Sequence, residues 1–129
     1  MTDYAGPADG LSILIRASLG GEQSFQLAGN VLTFQSEGPN YGWSSGQVQL
    51  SPEQVEAIYS LLQKVRVGPI PTEPTVGLDG ETTTITVRRG HNRVELEFWD
   101  APKPWRPIEK LVKMVREAAK LADEEDTAR

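Results

Sequence analysis

Parity across residues 83–98 restricts this chain more than any other feature. Ile85 and Val87 share one face of an extended segment, and Val94, Leu96 and Phe98 share one face of the next. A two-residue loop at Gly90 and His91 sets Val87 opposite Val94, Ile85 opposite Leu96 and Thr83 opposite Phe98. Thr86 and Glu95, and Thr84 and Glu97, then meet on the other face. A slip of one residue would mix apolar and polar side chains on both faces, so the pattern selects its own register. Glycine at the first loop position suits a type II′ turn, whose twist matches that of the strands. The Thr- and Val-rich composition suits a half-buried pleated surface.

The hairpin leads into a proline corner containing Pro102, Pro104 and Pro107, bracketed by Trp99 and Trp105. Three closely spaced prolines predict an extended chain up to Pro107, where a helix can begin because proline is tolerated in the first turn. Ile108, Leu111, Val112, Val115, Ala118, Ala119 and Ala122 recur at helical spacing. Lys110, Lys113, Arg116 and Lys120 fall largely off that stripe, which predicts an apolar face on the sheet and a basic face in water.

The N-terminal half extends the same pattern. Residues 1–10 hold little apolar content and read as a disordered lead-in. Leu11, Ile13 and Ile15 alternate with polar or outward positions, giving a strand. Gly20 and Gly21 turn it, and a three-residue loop would align Ile15 with Phe25 and Ile13 with Leu27. Gly29-Asn30 is a two-residue turn signal that pairs Leu27 with Leu32 and Phe25 with Phe34. A fourth strand over 46–50, with its loop centred on Tyr41, would set Phe34 against Val48 and Leu32 against Leu50. Ser51, Pro52 and Gln54 form a capping-box start for a helix with Val55, Ile58, Tyr59, Leu62 and Val65 on its apolar stripe. Gly68 and Pro69 are expected to end that helix, and a proline-rich connector follows. The expected fold is α+β, an antiparallel arrangement of about six strands with two helices in the order β-β-β-β-α-β-β-α. It spans a single domain over 11–122, and 123–129 reads as an acidic disordered tail.

Length and composition are those of an ordinary globular domain: 129 residues, 38% hydrophobic and 24% charged. With no cysteine there is no disulfide, thiolate metal site or thiol nucleophile, and a cytoplasmic compartment is the expectation. Residues 1–84 carry 3 basic and 9 acidic side chains, whereas residues 85–120 carry 9 basic and 5 acidic. The overall charge of −5 argues against a dedicated nucleic-acid binder, and no apolar run is long enough to span a bilayer as a helix. Neither nucleic acid nor membrane is therefore an expected partner.

Few residues offer catalytic chemistry. His91 sits at a turn tip, where the oriented partners of a general base are scarce. Glu95 and Glu97 could act as paired carboxylates, but they stand on the polar strand face opposite threonines. Asp123, Glu124, Glu125 and Asp126 read as a solvated acidic end. There is no nucleophile elbow, phosphate loop or His-Glu-x-x-His helix. No enzyme activity, metal or cofactor is expected.

Binding is better supported. Residues 37–45 place Tyr41 and Trp43 among Gly, Asn and Ser, the mixture of rigid aromatic anchors and adaptable polar groups found in binding loops. Asn40, Tyr41 and Trp43, with Gly20 and Gly21, are the candidate partner-binding residues. An opposing reading has one ring folded back over an open sheet edge or the end of the core, which would protect the edge. Trp99 and Trp105 are secondary candidates, whose structural role would be to clamp the terminal helix.

The order of elements from Leu11 to Leu121 resembles emfourin-type protease inhibitors, in which a Gly-Gly hairpin precedes a Leu-(Ser/Thr/Pro)-x-Glu helix start, a second hairpin and a terminal helix. The matching residues are Gly20-Gly21 and Leu50-Ser51-Pro52-Glu53. Those inhibitors usually carry an aromatic directly after the glycine pair, where this chain has Glu22. Gly77-Leu78-Asp79-Gly80-Glu81-Thr82, Val87-Arg88-Arg89-Gly90, Trp99, Pro102, Trp105 and Pro107-Ile108 also resemble a pattern in small bacterial domains of unknown function. The resemblance implies a non-enzymatic protein-binding module of inhibitor-like kind, with a protease as partner. Immunity proteins of bacterial toxin systems are similarly small, acidic and α+β, so a toxin is the alternative partner class.

Overall fold

The sheet is built outward from its most apolar strand, β1 (Gly10–Ala17). A computed structural model describes residues 10–18, 20–39, 41–65, 81–89, 91–99 and 103–128, and side chains of the last segment over 104–120. β1 pairs with β2 (Glu22–Ala28) on one side and with β5 (Glu81–Arg89) on the other. β3 (Val31–Glu37) and β4 (Ser44–Gln49) extend the sheet beyond β2, and β6 (Asn92–Phe98) extends it beyond β5. The strand order is β4-β3-β2-β1-β5-β6 and every pair is antiparallel. Helix α1 (Pro52–Gln63) lies between β4 and β5 in sequence, and α2 (Arg106–Ala128) closes the chain. This is the α+β order expected.

Alternation decides which face is covered. Leu11, Ile13, Ile15, Phe25, Leu27, Leu32, Phe34 and Ile85 form one buried layer beneath Ile58 of α1 and Ile108, Leu111 and Val115 of α2. Each fully buried aliphatic side chain contributes about 1.5–3 kcal/mol to folding. The other face carries Ser12, Gln26, Thr33, Gln47, Thr84 and Thr86, none of them fully buried.

The β5–β6 register is the one read from parity, down to Thr86 opposite Glu95 and Thr84 opposite Glu97. The β2–β3 register also matches: Phe25 faces Phe34 and Leu27 faces Leu32. Gly29 takes φ 61° while Asn30 does not have positive φ, as a type II′ turn requires. Both capping-box hydrogen bonds of Ser51 and Gln54 form, at 3.1 and 2.8 Å.

Two registers differ from expectation, each by two residues. Ile13, not Ile15, faces Phe25, and Leu11 faces Leu27. The Ala17 N–H donates to the Gly21 carbonyl and the Gly20 N–H to the Ala17 carbonyl. The turn therefore closes one position earlier, with Gly20 (φ 105°) at its end and Gly21 already opposite Ala17. In the β3–β4 pair, Phe34 faces Gly46 and Leu32 faces Val48. The Phe34 ring occupies the space over Gly46, where a Cβ would stand 2.9 Å from Phe34 Cζ. A shift of two keeps the same side chains on the same face, so parity cannot detect it.

Three further boundaries are corrected. α1 ends at Gln63 with Lys64 as its cap, before Gly68 and Pro69, which lie outside the described residues with the connector. The proline corner is not extended to Pro107: a 3₁₀ turn over Lys103–Trp105 leads directly into α2. α2 continues to Ala128, through the acidic segment expected to be disordered, because no Gly or Pro interrupts it after Pro107.

Candidate functional site

One end of the sheet gathers the β1–β2 turn, the β3–β4 loop, the start of β5 and the middle of α2. The β3–β4 loop is tightly built. The N–H groups of Tyr41 and Gly42 donate to the Gly38 carbonyl at 3.3 and 2.9 Å. Gly38 (φ 103°) lies so close to Gly21 that a Cβ there would fall on the Gly21 backbone. A Cβ on Gly21 would in turn meet the Glu37 carbonyl oxygen at 2.9 Å and the Tyr41 ring at 3.4 Å. Gly21 and Tyr41, both sequence candidates, are thus brought together, while Asn40 lies outside the described residues.

The two aromatics of this loop part company. Tyr41 folds inward: its hydroxyl donates to Glu81 Oε2 at 2.5 Å, and the Arg116 guanidinium stands 5.9 Å from its ring centroid. Trp43 is 80% exposed. The Tyr41 ring therefore packs against the end of the core, and the Trp43 ring is presented to solvent.

Arg116 is the hub beneath the loop. Its Nη1 and Nη2 donate to Glu81 Oε1 and Oε2 at 3.3 and 2.9 Å, and its Nε donates to Gln23 Oε1 at 3.0 Å. Gln23 Nε2 donates to the Oγ of buried Ser36 at 3.2 Å. The polar chain Ser36–Gln23–Arg116–Glu81–Tyr41 joins β3, β2, α2, β5 and the loop. Burial alone would raise the Glu81 carboxyl, but hydrogen bonds from Arg116 and Tyr41 and the Arg116 charge outweigh it and hold its pKa below the usual value. Burial first, then the hydrogen bond to Glu81 and its negative charge, push the Tyr41 phenol up to about 12.

This network was not legible in the sequence. Helical spacing puts Arg116 on the outer basic face with Lys110, Lys113 and Lys120. It instead lies on the flank of α2, half-buried, and turns its guanidinium to the sheet end. The only hint is its spacing, four residues after Val112 and three before Ala119, at the edge of the apolar stripe.

Two clefts flank Arg116 and share it with Lys120. One, of about 250 Å³, runs toward Tyr41 and Ser44. The other, of about 360 Å³, is walled by Phe98 and Trp99. Trp99, 38% exposed, keeps its standing as a surface candidate. Trp105 does not: it is 5% exposed and packs edge-on against Phe98 with centroids 6.4 Å apart, so it clamps the corner. Gly20 lies at the exposed tip of the β1–β2 turn.

The residues read as weak catalytic candidates lie elsewhere. Glu95 and Glu97 accept hydrogen bonds from Thr86 and Thr84 on the polar sheet face, and neither lines these clefts. His91 is exposed at the β5–β6 turn. Among the described residues no group of three or more His, Asp or Glu is placed to hold a metal ion, and no helix is long and apolar enough to cross a membrane. Compared with known proteins, the chain matches no family model and no curated protein.

Proposed function

We propose that this chain is a non-enzymatic protein-binding module of inhibitor-like kind, engaging its partner through the sheet end formed by the β1–β2 turn and the β3–β4 loop. The observation that carries this reading is Trp43, a large indole left 80% exposed on a loop otherwise tied down. An exposed aromatic on a rigid frame loses little conformational freedom on docking, which is how anchor residues gain affinity. Tyr41, through Glu81 and Arg116, holds the frame. Gly21 lets the β1–β2 turn approach Gly38 and the Tyr41 ring closely. The resemblance to emfourin-type inhibitors supports a protease as the partner class.

The test is a titration of a thermolysin-type metalloprotease with the wild-type chain and with Trp43→Ser, reading residual peptidase activity, alongside lysate capture with the same two proteins. Stoichiometric loss of activity, or capture of one partner, that the substitution weakens about tenfold or more supports the reading. Equal behaviour of the two proteins in both arms removes Trp43 as an anchor and overturns it.

A further inference from the structure

We propose that the outer groove between α1 and α2 docks an acidic amphipathic helix of a protein partner. The groove, of about 490 Å³, has an apolar floor of Ala57 and Leu61 from α1 and Met114 from α2, all only half-buried. Lys64, Lys110 and Lys113 line it and are exposed, and among the described residues that line it Glu117 is the one acidic side chain. Three lysines against one glutamate give this trough a net positive lining, on a chain whose net charge is −5. A cationic rim attracts an acidic ligand to this place.

The shape selects a helix. Two helices lying side by side present ridges and a groove, and a third helix is the element that fits such a surface. Met114 is unbranched and polarisable, suited to packing against varied apolar side chains. The lysine stems can lie along the apolar floor while their ammonium groups reach the flanks of the incoming helix. A bilayer fits less well, because Ala57, Leu61 and Met114 are all half-buried and the groove offers no large exposed apolar side chain to insert. A duplex would make no use of the apolar floor. This surface is separate from Trp43 and does not rest on the loop reading.

The test is an amide chemical-shift titration of the full chain with a synthetic peptide of about four turns, with Leu at i, i+3, i+4 and i+7 and Glu on the flanks. A peptide with Lys replacing Glu, a DNA duplex and phosphatidylserine vesicles are the comparison probes. The expected result is saturable binding of the acidic peptide, with shifts confined to 57–64 and 110–117 and affinity falling as salt rises. Lys110→Glu/Lys113→Glu should weaken it by about tenfold or more and favour the Lys peptide instead. Met114→Ala should weaken the acidic peptide, and Trp43→Ser should leave it unchanged. Equal affinity for the acidic and basic peptides, shifts outside these segments, or duplex or vesicle binding in place of the peptide would overturn the proposal.

Discussion

Arg116 grips both carboxylate oxygens of Glu81 from 35 residues away in sequence, at 3.3 and 2.9 Å, and so ties the middle of α2 to the first residue of β5. Both side chains are about a third exposed, which places the pair between a surface and a buried salt bridge. Solvent screening limits its worth, but the shared bonds to Gln23 and Tyr41 raise it above an isolated surface pair. A double-mutant cycle of Arg116→Ala and Glu81→Gln is expected to give a coupling energy of about 1 kcal/mol by urea unfolding. A coupling indistinguishable from zero would mean that the network orders nothing.

The same network sets a pH dependence at both ends of the scale. Glu81 has a lowered pKa in the folded chain, so the unfolded chain binds more protons across that window. Its contribution is complete above the ordinary carboxylate range and is lost as pH falls through the lowered value. Tyr41, raised from 10.0 to about 12, contributes fully below pH 10 and loses that contribution as pH rises toward 12. Urea midpoints measured across both windows should show each loss in the wild type. Glu81→Gln should flatten the acid limb and Tyr41→Phe the alkaline limb.

Glycines in the β3–β4 loop should not be equivalent. Gly42 (φ 75°) faces open space, so Gly42→Ala meets only the backbone penalty of about 1 kcal/mol. Gly38→Ala adds a collision with the Gly21 backbone to a similar strain, and a cost of about 3 kcal/mol is expected. Thermal unfolding of the two variants separates them, and equal costs would place the Gly38–Gly21 contact in error.

Trp43 and Trp105 should separate by solvent access. Trp43 is 80% exposed and Trp105 is 5% exposed. Trp43→Phe should remove most of the iodide-quenchable fluorescence, whereas Trp105→Phe should leave it. Trp43→Ser should change stability by less than about 0.5 kcal/mol, and Trp105→Ala should cost about 3–5 kcal/mol. A large stability loss from Trp43→Ser would assign that indole to the fold.

What the residues alone could determine was the set of elements and the face each one buries. Alternation of period two, the Gly29-Asn30 turn and the Ser51 capping box are local signals, and each is realised as written. Registers were legible only where the loop length was unambiguous. At Gly20-Gly21 and around Tyr41, a displacement of two residues conserves the buried face, so the choice passed to Gly20 closing its loop and to Phe34 packing over Gly46. The pairing of β5 with β1, which puts Glu81 at the same end as the two loops, joins residues 64 to 78 positions apart and has no local signature. For the same reason the division of labour between Tyr41 and Trp43 belongs to the tertiary structure. Both sit in one polar loop, and only the arrival of Glu81 and Arg116 beside the first draws that ring inward and leaves the second in water.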